Sequence, residues 1–214
     1  SVLVTPTGLD GSYEKTRLVP FGEYVPLRPV LGWVTHISDA AKQDRGRGDG
    51  PVVLDAGPVT FGPLICFEST FPDLARREVA LGARLVVYQT ASTTFQGTWA
   101  QPQHAALAAV RAAETGRPVV HAALTGITAA YDATGHRQLW IAPGRPRSAV
   151  VSLTMTGGRT PYSRIGDWVL VVAAALIAAA LVAASLTTTR TAPRRGAGGP
   201  SRSAAPGSCP RRSG

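Results

Sequence analysis

Short apolar runs alternate with helical stretches along most of this chain. Runs rich in Val, Ile and Thr, bounded by Gly, Pro or Asp, predict strands at Ser1–Thr5, Val52–Asp55, Val59–Cys66, Leu85–Gln89, Val119–Ala123, Ile127–Asp132 and Ala149–Thr154. Gly8-Leu9-Asp10-Gly11 and Asp132-Ala133-Thr134-Gly135 read as turns between paired strands. Two helices are predicted. One covers Pro72–Leu81, with Pro and Asp in its first turn and Gly82 after its end. The other covers Gln101–Thr115, with Leu107 and Val110 on one face and Gly116 as its stop. Strands interleaved with helices predict an α/β domain with layered sheets. Residues 36–50 are polar and glycine-rich and read as a mobile surface loop.

The pattern changes at the C-terminal side. Residues 168–186 hold no charge and a single hydroxyl, Ser185. As a helix the run is about 28 Å long, close to the hydrocarbon thickness of a bilayer. Trp168 stands at one end and Arg190, Arg194 and Arg195 follow the other, which predicts a transmembrane helix with its arginine side in the cytoplasm. Residues 190–214 are rich in Gly, Pro, Ser and Arg and are expected to be disordered, with Cys209 an incidental thiol.

Charge and composition then narrow the chemistry. The formal charge of +9 is unevenly placed: six of the 22 basic residues lie after Asp167, leaving 16 against 13 acidic ones in residues 1–167. The body is nearly neutral and the excess sits in the tail. No aromatics interleave with those arginines, so no nucleic-acid partner is expected. With 44% hydrophobic residues the 214-residue chain can bury a core. Two cysteines exclude a disulfide scaffold, and histidines at 36, 104, 121 and 136 have no metal-binding spacing. No metal or cofactor site is predicted.

Two stretches carry candidate chemistry. In Val59–Ser69 an apolar strand runs into Cys66, with Glu68 two positions on and a helix start behind it. A thiol at the carboxyl end of a strand, beside a helix N-terminus, is placed where a thiolate is favoured; a buried small hydrophobe has the same pattern. In Tyr13–Pro26, Lys15 and Glu23 flank a Pro-Phe-Gly turn, and the pair alone also reads as a solvated lysine and a turn carboxylate.

Together the stretches resemble a known family. Lys15 followed by Leu-Val-Pro-Phe-Gly-Glu-Tyr-Val-Pro, then Ile-Cys-Phe-Glu about fifty residues on, resembles the nitrilase (carbon–nitrogen hydrolase) superfamily. The match is nearest to its membrane-embedded branch, the apolipoprotein N-acyltransferases. Gln101-Pro102-Gln103-His104, Arg111–Pro118, and Thr160-Pro161-Tyr162 ahead of Gly166-Asp167-Trp168 carry the same resemblance, which spans about residues 1–187.

The resemblance implies a nitrilase-like layered α-β-β-α sandwich, incomplete at its N-terminus, over residues 1–166. A transmembrane helix (167–187) and a disordered basic tail (188–214) would follow. It implies that Cys66 is the nucleophile and that Lys15 holds the oxyanion. Glu23 and Glu68 would be accessory carboxylates, and Phe67 an aromatic beside the nucleophile. The implied reaction moves a fatty acyl group from a membrane phospholipid, through a Cys66 thioester, to the N-terminal diacylglyceryl-cysteine of an apolipoprotein. The implied location is the bacterial plasma membrane, with the catalytic body extracytoplasmic.

The family's general-base glutamate and further membrane helices are expected upstream of Ser1, so the chain reads as the C-terminal part of a longer enzyme whose activity by itself is left open. The usual Asn-Asp pair after the Leu85–Tyr88 strand is replaced by Gln89-Thr90-Ala91-Ser92. His104 and Arg111 read as structural supports or lipid-headgroup contacts. Val25, Leu27, Val30, Leu31 and Trp33 form an apolar stretch that either packs in the core or dips into lipid. Two other readings use the same residues: a membrane-tethered amidase acting through Cys66 and Lys15, and a non-catalytic anchored fragment.

Overall fold

The structure, a computed structural model, describes residues 1–36, 43–144 and 147–190. Two units are distinguished, Ser1–Trp168 and Val169–Gly214. The first begins with a hairpin of β1 (Val2–Thr5) and β2 (Gly8–Ser12), closed by the two residues Pro6 and Thr7. A short helix α1 (Arg28–Leu31) follows. Then come β3 (Leu54–Asp55), β4 (Thr60–Ile65), α2 (Pro72–Ala80), β5 (Leu85–Ala91), α3 (Ala100–Thr115) and β6 (Val119–Thr125). β7 (Thr128–Tyr131), β8 (Arg137–Ile141) and α4 (Pro161–Ile165) complete the unit.

Strands β3 to β8 form one mixed sheet in sequence order. β4, β5 and β6 are parallel, and β3, β7 and β8 run antiparallel to their neighbours. Parallel neighbours need crossover helices, and α2 and α3 supply them. Both helices touch the sheet and each other, so they share one face. Gly62, Leu64, Val86, Tyr88, Val119 and His121 are in register on that face and are all buried. The alternate positions Phe61, Ile65, Val87 and Val120 point to the other face and are half-buried. One α layer on one β layer is thus built, with the β1–β2 hairpin as a separate small sheet.

Three expectations are corrected here, and one strand is added. Gly8–Gly11 is not a turn but most of β2, because the hairpin turns one step earlier at Pro6-Thr7. The expected strand at Ala149–Thr154 has no ladder partner among the described residues and stays irregular. β8 was not expected, since Arg137 and Gln138 hide its apolar half; yet the Asp132–Gly135 turn, where Asp132 accepts from the backbone of Thr134 and His136, folds the chain back into it. On α3 the buried stripe is Ala105, Ala108 and Ala112, while Val110 is exposed, because the small alanines let the helix sit close to the sheet.

The second unit carries the helix α5 (Trp168–Arg190), which starts at the junction. None of its side chains from Trp168 to Ser185 is buried, and among the described residues it is the one helix long and apolar enough to cross a membrane. Residues 191–214, with Cys209 and most of the tail expected to be disordered, lie outside the described residues.

Candidate active site

Cys66 follows the last residue of β4 and opens a 3-10 turn, Cys66–Thr70. Its φ is +50°, a left-handed conformation that costs a residue with a Cβ about 1–3 kcal/mol. Such a corner persists only where its surroundings fix it, and Glu68 does much of this. The Glu68 side chain is wholly buried. Its Oε2 accepts from the Ile65 backbone N–H at 2.7 Å, just before the cysteine. Its Oε1 accepts from Tyr13 Oη (2.7 Å), Thr16 N (2.7 Å), Thr16 Oγ1 (2.9 Å) and Arg17 N (3.0 Å). One carboxylate therefore ties the segment around Lys15 to the turn around Cys66. Burial, and then the neighbouring Glu68, hold the Tyr13 phenol protonated well above its ordinary range.

Lys15 Nζ donates to both oxygens of Glu23, at 2.9 and 2.8 Å, and Glu23 Oε2 also accepts from Val19 N at 2.9 Å. An ammonium has three N–H donors, and this pair engages two. The loop expected to be mobile is fastened here instead, in its described part. Gly48 N donates to the Lys15 carbonyl (2.9 Å), Arg45 N to the Glu23 carbonyl (2.8 Å), and Asp44 accepts from Val25 N (3.0 Å). Residues 37–42 of that loop lie outside the described residues.

Phe67 is half-buried and packs edge-on against Phe71 at 5.1 Å. Both rings line a cleft of about 440 Å³ with Thr16, Arg17, Tyr24 and Asp44. Around that region Phe21, Leu27, Val30 and Trp33 are exposed, whereas Val25 is buried. The apolar stretch thus divides: Val25 packs in the core and three of its members face outward. A larger hollow, about 560 Å³, lies among Gln101, Leu124 and Ile141, and none of the expected site residues lines it.

His104, on α3, was read as a support and stands against the nucleophile candidate itself. Its Nε2 is 3.0 Å from the Cys66 carbonyl oxygen, so that nitrogen carries the proton. Its ring meets His121 edge-on at 5.0 Å. His121 Nδ1–H donates to the Ile127 carbonyl at 2.9 Å. Burial, and then His104, push His121 down to about 4. Burial first, and the Lys15 ammonium as well, lower His104, against the opposing bond to Cys66. Arg111 is a support: it is buried and paired with Glu114 at 3.1 Å.

The carbon-nitrogen hydrolase family model matches residues 1–166. The chain belongs to this family. Among carbon–nitrogen hydrolases it is similar to the apolipoprotein N-acyltransferase of Geobacter metallireducens, 36% identical over 81% of this chain and 34% of the relative. The apolipoprotein N-acyltransferase of Caulobacter vibrioides is 38% identical over 76% of this chain and 31% of the relative. The chain spans about a third of the length of the curated relatives it matches. Among solved structures it is similar to a carbon–nitrogen hydrolase from Helicobacter pylori (13% identity, TM-score 0.49, 66% of this chain and 51% of that one). An amidase from Nesterenkonia is also similar (23% identity, TM-score 0.45, 64% of this chain and 48% of that one).

Within this carbon–nitrogen hydrolase the five residues singled out by sequence share one corner, in unequal roles. Lys15 and Glu23 form an ion pair, Glu68 joins their segment to Cys66, and Phe67 forms a wall of the cleft. Tyr13, Thr16 and His104 were missed as parts of the corner. For the first two the available signal was their position beside Lys15. For His104 it was a histidine in the first turns of a helix that the topology carries past the end of β4.

Proposed function

We propose that this chain carries the thioester-forming half of an apolipoprotein N-acyltransferase. The observation that supports the reading most is the Glu68 carboxylate, which accepts hydrogen bonds from both the Lys15 segment and the Cys66 turn. The likeness to apolipoprotein N-acyltransferases and the apolar helix α5 agree with it.

The Cys66 thiolate attacks the ester carbonyl of a phospholipid. A C–S bond forms, and an oxyanion develops that the free donor of Lys15 meets. One such donor is worth on the order of 3–4 kcal/mol to the transition state. Glu23 holds the ammonium in place without using all of its donors. The C–O bond then breaks and the lysophospholipid leaves as the alcohol, with the proton that the Cys66 thiol gave up on becoming the thiolate. The amine of a diacylglyceryl-cysteine attacks the thioester, the amide forms, and the thiol is regenerated with the amine's proton. Exposed Phe21, Leu27, Val30 and Trp33 put an apolar surface where acyl chains would approach. The arginines after α5 set the tail in the cytoplasm and the body outside.

The test is a transfer assay with the full-length gene product, phosphatidylethanolamine vesicles and a diacylglyceryl lipopeptide. N-acylated lipopeptide and lysophospholipid should form one for one. Cys66→Ala abolishes the reaction and Lys15→Ala slows it about 10³-fold. Ammonia release from small amides with no acylated lipopeptide would replace this reading with the amidase.

A further inference from the structure

We propose that His104 is a positioning residue for Cys66: its Nε2–H holds the Cys66 carbonyl and so keeps the left-handed corner that presents the thiol. The inference rests on the reading of Cys66 as the nucleophile. A residue with φ of +50° relaxes toward negative φ unless its peptide planes are held. Ile65 N, before the corner, is held by Glu68, and Phe71 N, beyond it, by the Glu68 carbonyl at 3.1 Å. The His104 bond falls on Cys66 itself, at 3.0 Å.

The imidazole is well placed to act as a fixed strut. It sits on α3, a 16-residue helix whose alanine stripe packs on the sheet. The edge contact with His121 sets the plane of its ring. His121 is itself fixed by its bond to the Ile127 carbonyl and is only 1% exposed. A chain of contacts thus runs from the β6–β7 turn through two neutral rings to the cysteine backbone. Arg111, two turns along the same helix, has no such role; its partner is Glu114.

The test separates a donor from a filler of space. His104→Phe keeps a ring against His121 and removes the N–H. His104→Gln places an amide N–H at a similar reach, and His104→Asn carries one that is too short. In the full-length gene product, the rate of Cys66 alkylation by iodoacetamide is followed on the Cys66 peptide, and acyl-enzyme formation on phosphatidylethanolamine vesicles is followed beside it. Thermal unfolding of each variant is recorded.

His104→Phe and His104→Asn should slow both reactions about tenfold, with the KM for phospholipid unchanged. His104→Gln should stay within about threefold of the parent. Should the Phe variant not fold, the Gln and Asn pair gives the same contrast. Equal rates in Gln and Asn, or a parent-like rate in Phe, overturn the proposal. If the parent alkylates at Cys66 but takes no acyl group, the acyltransferase reading fails and the alkylation series still decides the role of His104.

Discussion

Two buried acids, ten positions apart, meet opposite surroundings. Glu68, in the turn after β4, accepts five hydrogen bonds. Glu78, on α2, is equally buried, and neither of its oxygens has a protein partner among the described residues. A buried carboxyl group that finds no donors keeps its proton. Burial, and then the Glu68 charge, hold Glu78 well above the ordinary carboxyl range. Glu68 thus works as an anchor for two chain segments. Glu78 is a neutral filler under the sheet, at Gly62. The difference between these regions shows that burial alone does not make a carboxylate an anchor; the count and origin of its donors do.

The largest break in this comparison comes from Glu68→Gln. One oxygen becomes an amide that offers hydrogens to donors. The variant should lose about 3 kcal/mol of stability in chemical denaturation, along with acyl-enzyme formation. An unchanged unfolding midpoint would show that the five contacts do not hold the corner.

The next test uses His121, which like Glu78 is buried in its neutral form. Its folded value of about 4 lies below the unfolded value of 6.5. The unfolded chain therefore binds more protons between those values, and stability falls as pH drops through that window. The loss should reach about 3 kcal/mol by pH 4, and His121→Gln should flatten it. A slope identical in the variant would remove His121 as its source.

The packing beside Glu78 gives a smaller effect. A Cβ at Gly62 would clash with the Glu78 side chain, so Gly62→Ala should cost about 2 kcal/mol. Adding Glu78→Ala should relieve part of that cost. Additive losses in the double variant would count against the contact.

The smallest effect is that of Glu78→Gln. The folded chain keeps the Glu78 proton above pH 4.5, where the unfolded chain releases it, so stability falls as pH rises from there. The glutamine variant should unfold at higher denaturant than the parent at pH 8 and at the same denaturant at pH 4. A variant weaker than the parent at pH 8 would mean that Glu78 is charged and paired.

The sequence made some of this architecture legible and hid the rest for physical reasons. α2 was readable because Pro72, Asp73 and Gly82 mark its ends, and α5 because nineteen uncharged positions leave few alternatives. β8 was not, because Arg137 and Gln138 break its alternation, and Ala149–Thr154 has strand composition without a partner to pair with among the described residues. In the corner, Cys66, Lys15, Glu23 and Glu68 are named by the family resemblance of their two motifs, since spacing alone leaves the bland readings open. The inequality of the two carboxylates was not accessible that way. Glu23 reaches its lysine over eight positions, but Glu68 finds four of its five hydrogen bonds across more than fifty. Likewise nothing local to His104 signals a bond to a backbone oxygen 38 positions away.

The most direct test of the central claim is the mass of the Cys66 peptide after the full-length gene product meets phosphatidylethanolamine vesicles without an acceptor. The account predicts a fatty-acyl thioester on Cys66, cleaved by hydroxylamine and lost when the lipopeptide is added. Formation of N-acylated lipopeptide by a protein whose Cys66 never carries the acyl group would contradict it.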